Sequence, residues 1–303
     1  MSLDLDDLLA KTSRTFALAI PMLPEPTRRE VTVAYLLFRV ADTFEDATTW
    51  PRTERIAALN EFADALRDFD LPRLETLTKK WVANPPVTHA GYMELLAVTP
   101  EVVGILKEFT ESARAILIKH AVRTARGMAD VVARADERGN LELATVPELQ
   151  HYCYIVAGIV GELLTDLFLN DSQELSKVRD VLEGNAIAFG EGLQLVNILK
   201  DSGDDAKDGR VYLPKSVSRA DIIALAGRDL DGASRYIDAL QRGGAPSGYL
   251  GFTGISVMLA RAALKALATG GPGTKVSRQE VARLLGELTS TLETGASMLQ
   301  ATA

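Results

Sequence analysis

Between Tyr152 and Gly161 the sequence reads YCYIVAGIVG, which is apolar around almost the whole circumference of a helix. Such a helix is stable when other helices surround it, because a surface helix carries a polar face. The small residues Ala157, Gly158 and Gly161 would let neighbouring backbones approach closely. The stretch therefore predicts a helix buried in the middle of a helical bundle.

Outward from this stretch, apolar residues recur at three- and four-residue spacing, and strict alternation over the length of a strand is absent. The breaks coincide with clusters of Pro and Gly, and none of them is long enough to be a domain linker. We therefore predict an all-α fold with a single domain over residues 1–303. The predicted helices cover residues 28–47, 53–69, 97–135, 147–169, 174–201, 250–268 and 278–299.

The composition limits which partners and which cellular compartment can be expected. A net charge of −8 with scattered Lys and Arg argues against nucleic acid as a partner. Cys153 is the only cysteine, so the chain has neither an intrachain disulfide nor a cysteine-based zinc site. The N-terminus is acidic, unlike a signal peptide, and no uninterrupted apolar run approaches the roughly 18 residues of a spanning helix. We predict a cytoplasmic protein without a transmembrane segment.

The first candidate chemistry lies in AYLLFRVADTFED, residues 34–46. Asp42 and Asp46 are four residues apart on a predicted helix, so their carboxylates project from one face and could share a cation. Arg39 lies one turn earlier on that face. With 41 acidic residues among 303, about five acidic pairs at this spacing are expected by chance. Alone, the pair is more typical of a solvated helix face than of a metal site.

A second acidic cluster follows a largely apolar helix, in NILKDSGDDAKDGRVYLP at residues 197–214. Asp201 and Asp205 repeat the four-residue spacing, and Asp204 adds a carboxylate. Oxygen ligands without His or Cys suit Mg²⁺, which takes one or two carboxylates and completes its shell with waters and substrate phosphates. Two opposed faces of this kind would hold a diphosphate; the alternative is an acidic helix end that runs into a turn. Nearby cations that could neutralise phosphate are Lys200, Arg210 and Lys215.

Polar residues inside the two apolar segments suggest a cavity or a polar network. Gln194 and Asn197 fall within FGEGLQLVNIL, and buried amides need hydrogen-bond partners. Tyr152 is a phenol in an apolar helix and also needs a partner, although a packing role is the more typical one. Motifs for serine nucleophiles, zinc proteases, P-loops and dinucleotide-binding sheets are absent. The isolated histidines, which are more typical of structural roles, are His89, His120 and His151.

Five motifs, in order along most of the chain, resemble those of the squalene/phytoene synthases, which join two prenyl diphosphates head to head. They are Thr12-Ser-Arg-Thr-Phe16, Tyr35-Leu-Leu-Phe-Arg39, Asp42-Thr-Phe-Glu-Asp46, Tyr152-Cys-Tyr-Ile-Val-Ala-Gly158, and Gln194 to Asp205 followed by Gly209-Arg-Val-Tyr-Leu-Pro214. The resemblance implies a helical bundle of the isoprenoid synthase type with a central active-site cavity. It also implies an enzyme, a Mg²⁺-dependent transferase acting on prenyl diphosphates.

The resemblance assigns roles to individual residues. Tyr152 would be the catalytic tyrosine, with Asp42 and Asp201 as catalytic aspartates. The implied Mg²⁺ ligands are Asp42, Glu45, Asp46, Asp201, Asp204 and Asp205. The implied substrate contacts are Ser13, Arg14, Phe16, Tyr35, Arg39, Gln194, Asn197, Lys200 and Arg210, where Lys200 stands at a position that is usually arginine. The implied NADPH contacts are Phe252, Asn197, Lys275 and Arg278.

Details of the motifs favour one product. The Asp-Thr-x-Glu-Asp form of the first motif and Phe252 look more like squalene synthases, and Ala263 falls where phytoene-type enzymes tend to have tyrosine. We therefore expect two farnesyl diphosphates to condense through presqualene diphosphate, with NADPH reduction to squalene. The alternatives are phytoene, dehydrosqualene or hydroxysqualene made without NADPH, and, from another class, a non-catalytic helical binding protein. Membrane contact, if the chain makes any, would be peripheral and serve product release.

Overall fold

The structure, a computed structural model, describes residues 3–13, 15–136 and 139–302. Contacts between Cα atoms divide the chain into two compact units. The first comprises Met1–Ile20 and Glu25–Leu141, and the second comprises Pro21–Pro24 and Glu142–Ala303. The single domain expected from the sequence stays a prediction.

The first unit consists of α-helices joined by short turns. They are α1 (Leu5–Thr12), α2 (Phe16–Ala19), α3 (Thr27–Glu45), α4 (Arg52–Arg67), α5 (Leu71–Ala83), α6 (Ala90–Ala97), α7 (Thr99–Ile105) and α8 (Glu111–Ala133), with a 3₁₀ turn at Leu106–Glu108. Helices α3 and α4 pack on α8. The Phe44 ring lies 6.0 Å from Trp50, 6.4 Å from Phe62 and 4.6 Å from Trp81, and all four rings are buried. This aromatic cluster anchors the end of α3, which carries the first acidic motif.

The second unit is also helical. Its α-helices are α9 (Val146–Cys153), α10 (Ile159–Asp171), α11 (Arg179–Lys207), α12 (Arg219–Gly243), α13 (Ser247–Gly270), α14 (Arg278–Thr294) and α15 (Met298–Thr302), with a π-helical segment at Tyr154–Gly158 and a 3₁₀ helix at Gln173–Val178. The 3₁₀ turn Ile20–Met22 and the strand β1 (Leu141–Glu142) each contain a boundary between units. β1 pairs with β2 (Arg210–Val211), and the Leu143 N–H donates to the Val211 carbonyl at 2.9 Å.

Glycines bring α11 against the π-helical segment and α10. A Cβ added at Gly190 would lie 2.0 Å from the Ala157 carbonyl oxygen, and one added at Gly161 would lie 1.9 Å from that of Ala186. The two backbones are therefore in direct contact, as the small residues of YCYIVAGIVG predicted. The expected burial on all sides is wrong, since Tyr154 and three further residues of the stretch keep part of their surface exposed.

The all-α class is confirmed, but several predicted boundaries are wrong. The segment 97–135 is not one helix: Pro100 stands in the first turn of α7, and the Thr110 hydroxyl accepts the Ala113 N–H at 3.2 Å to begin α8. The helix predicted over 174–201 also has different bounds, because its first residues form the 3₁₀ helix Gln173–Val178 and α11 continues to Lys207.

Five helices within the described residues were not predicted at all, namely α1, α2, α5, α6 and α12. Four of them begin at a side-chain cap: Asp4 accepts the Asp7 N–H and Asp70 accepts the Arg73 N–H, each at 3.0 Å, Ser218 accepts the Asp221 N–H at 3.2 Å, and His89 accepts the Tyr92 N–H at 3.3 Å. Helix α12 ends at Gly244, whose φ of +78° is a conformation that glycine adopts without strain. Local capping therefore defines helices that the apolar spacing alone did not reveal.

Two helices are long and apolar enough to cross a membrane by length and composition. They are Val146–Asp171, with a mean hydropathy of 1.6, and Ser247–Gly270, with 1.4. In both, 61% of the apolar window is buried inside the structure, and buried core helices of globular proteins meet the same criterion. The expectation of no transmembrane segment, which rested on uninterrupted runs, stays a prediction.

Candidate functional site

Arg39 is held in a group of aromatic and acidic side chains in the first unit. Its Nη1 lies 3.2 Å from Oδ2 of Asp42, and its Nε donates to the Tyr35 hydroxyl at 3.3 Å. Tyr35 in turn donates to the Thr12 carbonyl at 2.7 Å. The guanidinium carbon also lies 5.5 Å and 5.3 Å from the ring centroids of Tyr35 and Tyr92. Positions 35, 39 and 42 share one face of α3 because they are four and three residues apart.

Asp42 carries a carboxyl that is costly to ionise in its present surroundings. Its side chain is 29% exposed, and burial of the carboxyl raises its pKa to about 6, against the opposing effect of Arg39 and with a smaller contribution from Asp46. The neighbouring Arg39 thus only partly offsets the cost of ionising Asp42. Asp46, one turn later, is exposed at the end of α3. Glu45, the other predicted ligand here, is only 5% exposed and lies in the interior.

The first sequence motif lies beside this group. The Ser13 hydroxyl accepts the Phe16 N–H at 3.0 Å, and the Phe16 ring lies 5.5 Å from that of Tyr35. The structure therefore brings together Ser13, Phe16, Tyr35, Arg39 and Asp42, as the resemblance implied. Arg14, also predicted as a substrate contact, lies outside the described residues.

The second acidic motif lies on the last turns of α11. Oδ2 of Asp201 is 3.2 Å from Nζ of Lys200, and Oδ1 of Asp205 is 3.8 Å from Nη2 of Arg210. Both carboxylates are partly exposed and each has a cation beside it. The motif therefore repeats the carboxylate and cation pairing found in the first unit.

Asp204, the third carboxylate of the second acidic motif, has a different environment. Its side chain is 82% exposed, and a hydrogen bond from Lys207 at 2.7 Å lowers its pKa. Among the described residues, no three Asp, Glu, His or Cys side chains come close enough to hold a metal ion by themselves. Mg²⁺ commonly takes only one or two carboxylates and completes its shell with waters and phosphate oxygens. The donor pairs Asp42 with Asp46 and Asp201 with Asp205 fit that chemistry.

Two backbone acceptors of α11 are engaged just before Asp201. Arg219 of α12 donates to the Leu199 carbonyl at 3.0 Å, and the Gly273 N–H donates to the Lys200 carbonyl at 2.8 Å. Gly273 has φ +78°, so glycine suits this position. Neither residue was predicted, because each reaches α11 from a distant part of the sequence.

Tyr152 contacts a second tyrosine, Tyr212, which belongs to the last sequence motif but had no predicted role. The Tyr152 hydroxyl donates to that of Tyr212 at 3.1 Å, and the rings stack with centroids 4.5 Å apart and planes 15° apart. Both side chains are buried. The partner expected for the Tyr152 phenol is therefore found.

The two amides of α11 are less buried than predicted. Gln194 is half-buried and Asn197 is exposed, where its Oδ1 accepts a hydrogen bond from Nζ of Lys200 at 3.2 Å. The expectation of buried amides is wrong because the face of α11 that carries them is not covered. Both remain accessible to a ligand.

The predicted NADPH contacts lie in contrasting environments. Phe252 is 2% exposed in α13, whereas Lys275 and Arg278 are exposed on the loop before α14 and in its first turn. The charge of Lys275 contributes to lowering the pKa of Asp204 in the second acidic motif. The cations fit a phosphate-bearing cofactor, whereas the Phe252 ring is packed in the interior.

No motif indicated a further pair of carboxyls, the buried Glu191 of α11 and the partly exposed Asp229 of α12. Glu191 is 9% exposed, and burial raises its pKa to about 7, with a further contribution from Asp229. Burial likewise raises the pKa of Asp229 to about 6 against the opposing effect of Arg228. Oδ2 of Asp229 has no hydrogen-bond partner among the described residues. Both groups therefore bind protons more tightly in the folded than in the unfolded chain.

We expect this pair to make the protein less stable as pH rises from about 4 to about 7. Unfolded carboxyls ionise near their ordinary pKa, whereas folded Glu191 and Asp229 must ionise while buried, so the stability present at low pH is lost across their raised pKa values. Urea unfolding should show a smaller loss for Glu191→Gln than for the wild type. The control Glu183→Gln, on the exposed face of α11, should follow the wild type. Equal pH dependence of wild type and Glu191→Gln would contradict the assignment.

Comparison with known proteins agrees with the motifs. The profile of the squalene/phytoene synthase family matches residues 9–222. Squalene synthase ERG9 of Candida albicans is 30% identical over 212 residues, which are 70% of this chain and 45% of that protein. Squalene synthase of Schizosaccharomyces pombe is 28% identical over 212 residues, 69% of this chain and 43% of that protein. The match thus spans less than half the length of these curated relatives.

Solved structures show the same fold. The structure of TcSQS in complex with the ligand BPH1237 superposes with a TM-score of 0.78 at 24% identity, covering 99% of this chain and 91% of that one. A dehydrosqualene synthase superposes with a TM-score of 0.56 at 20% identity, covering 96% and 95%. The isoprenoid synthase fold implied by the motifs is confirmed. Since the family profile also covers more than half of its residues, the chain belongs to the squalene/phytoene synthase family.

Proposed function

We propose that this chain is a Mg²⁺-dependent prenyltransferase that joins two prenyl diphosphates head to head. The observation that carries the proposal is the position of the Arg39 guanidinium, whose Nη1 lies 3.2 Å from Oδ2 of the partly exposed Asp42 carboxylate. Asp205 and Arg210 repeat that pairing in the second unit. Carboxylates beside guanidinium groups match a magnesium diphosphate, which needs both metal ligands and donors to phosphate oxygens.

Each motif residue has a defined task in this proposal. Mg²⁺, held by the Asp42 and Asp201 motifs, would supply Lewis-acid assistance to the departing diphosphate. Arg39 and Arg210 donate to phosphate oxygens, and a guanidinium can do so through two parallel hydrogen bonds. Lys200 supplies a point charge instead. The Tyr152 hydroxyl, oriented by Tyr212, is placed to donate or accept a hydrogen bond at its oxygen while a proton moves.

The finer proposal concerns substrate and product. We propose farnesyl diphosphate as the substrate, presqualene diphosphate as the intermediate and squalene as the product, with NADPH supplying the hydride. The relatives named above are squalene synthases, and the exposed cations Lys275 and Arg278 suit the phosphates of NADPH. The alternative product, phytoene, dehydrosqualene or hydroxysqualene made without NADPH, is favoured by the buried position of Phe252.

Incubation with farnesyl diphosphate and Mg²⁺, with and without NADPH, separates these products. We expect squalene only when NADPH is present and presqualene diphosphate to accumulate when it is omitted, because the final reduction needs a hydride. Mass spectrometry of the extracted lipids measures both. The same hydrocarbon with and without NADPH would rule out the squalene assignment and support the alternative. Unchanged farnesyl diphosphate in both samples would favour a non-catalytic binding protein.

The proposed compartment is the cytoplasm, with peripheral membrane contact for release of an apolar product. The single cysteine, Cys153, is free and buried, which is compatible with a reducing environment. Sedimentation of the protein with the membrane fraction of cells, and its release by salt or only by detergent, would test this placement.

A further inference from the structure

Tyr92 of α6 also contacts Arg39, although it belongs to none of the sequence motifs. Its ring centroid lies 5.3 Å from the Arg39 guanidinium carbon, and that of Tyr35 lies 5.5 Å away. Both distances are within the range of a favourable cation–π contact. Arg39 is therefore held by aromatic rings from two helices, α3 and α6.

The position of Tyr92 is itself fixed. The His89 ring lies 4.1 Å from the Tyr92 ring, and Nδ1 of His89 accepts the Tyr92 N–H at 3.3 Å as the cap of α6. Gly91 lets α6 approach α1, since a Cβ there would lie 2.7 Å from the Lys11 carbonyl oxygen. Together these contacts leave the ring little freedom to move away from Arg39.

Three kinds of contact hold Arg39, namely an ion pair, a hydrogen bond to the Tyr35 hydroxyl and two aromatic ring faces, and ligand binding affects the ion pair differently from the others. The ion pair with Asp42 competes with any cation that Asp42 binds, because one carboxylate cannot fully serve both charges. The faces of Tyr35 and Tyr92 are neutral and do not compete for that cation. The rings can therefore keep the guanidinium in position when Asp42 is engaged elsewhere.

We propose that Tyr92 is a positioning residue that holds the Arg39 guanidinium for the diphosphate group of the substrate. The inference rests on the proposed function and deepens it, because it names what fixes the phosphate-binding cation. Tyr92 acts through Arg39, and its ring face matters rather than its hydroxyl. Removing the ring should leave Arg39 able to reach the diphosphate but poorly oriented.

Binding of inorganic pyrophosphate in the presence of Mg²⁺ tests this without requiring turnover. Isothermal calorimetry should show about 3- to 30-fold weaker binding for Tyr92→Leu than for the wild type, the range expected for loss of one cation–π contact. Tyr92→Phe keeps the ring face and should bind within about 2-fold of the wild type. In steady-state kinetics Tyr92→Leu should raise KM by a similar factor and change kcat less. Thermal unfolding of both variants checks that they fold.

A double-mutant cycle separates positioning from a general structural role. In an Arg39→Gln background, Tyr92→Leu should weaken pyrophosphate binding no further, because the group it positions is gone. Wild-type affinity in Tyr92→Leu, equal loss in Tyr92→Phe, or an undiminished loss in the Arg39→Gln background would each overturn the inference. Absence of pyrophosphate binding by the wild type would instead contradict the proposed function itself.

Discussion

Replacing Asp42 or Asp201 by Asn is expected to lower turnover of a prenyl diphosphate by at least about 1,000-fold, equivalent to about 4 kcal/mol of transition-state stabilisation. Each change removes a carboxylate that the proposed Mg²⁺ site needs and keeps the shape of the side chain. Stability should change little at position 42, because burial already disfavours the ionised carboxyl there. Steady-state rates with farnesyl diphosphate and far-UV circular dichroism measure both quantities.

A surface carboxylate on α11 supplies the matched control. Glu183 pairs with Arg179 at 3.0 Å on the exposed face of the helix, so Glu183→Gln removes a charge without touching the acidic motif. It should retain wild-type turnover. Full activity in Asp42→Asn or Asp201→Asn would contradict the proposed use of both motifs, and equal losses in Glu183→Gln would point to a general effect of charge.

The sequence predicted those helices in which apolar residues recur regularly at helical spacing. Helix α3 was predicted within two residues at each end, because its buried face repeats regularly. The break at Thr110 was missed because capping needs one hydroxyl and leaves the apolar spacing on both sides unchanged. Helix α12 carries cap residues at both ends, Ser218 and Gly244, which mark a helix that the predicted apolar segments do not include. The π-helical segment carries no sequence signature that spacing can detect.

The candidate site likewise contains contacts that the sequence predicts and contacts that it does not predict. Tyr35, Arg39 and Asp42 lie on one face of one helix, so their proximity follows from their spacing. Tyr92 and Tyr212 reach their partners from other elements, and such approaches depend on how helices pack. A single sequence does not show how the helices pack against one another. The exposure of Asn197 was misjudged for the same reason, since composition alone does not say which face of α11 is covered.

The backbone contact between α11 and the π-helical segment predicts the largest effect on stability. Gly190→Ala would place a Cβ 2.0 Å from the Ala157 carbonyl oxygen and 2.5 Å from the carbonyl carbon. Backbone atoms cannot rotate aside as a side chain can, so the two segments must separate along a packed interface. We expect the free energy of unfolding to fall by about 3 kcal/mol or more, the upper range for overpacking.

Gly184 of the same helix provides the comparison, because a Cβ added there meets no atom within 4 Å. Gly184→Ala should leave stability unchanged or raise it by up to about 1 kcal/mol through helix propensity. Urea unfolding of the two variants beside the wild type measures the contrast, and equal stabilities would mean that the segments are not in contact. A Gly190→Ala variant that folds should also lose activity. Moving α11 away from the π-helical segment would displace the acidic motif at the end of α11 from Tyr152, which lies just before that segment. The same glycine contact would then set both the stability of the second unit and the geometry of its proposed catalytic residues.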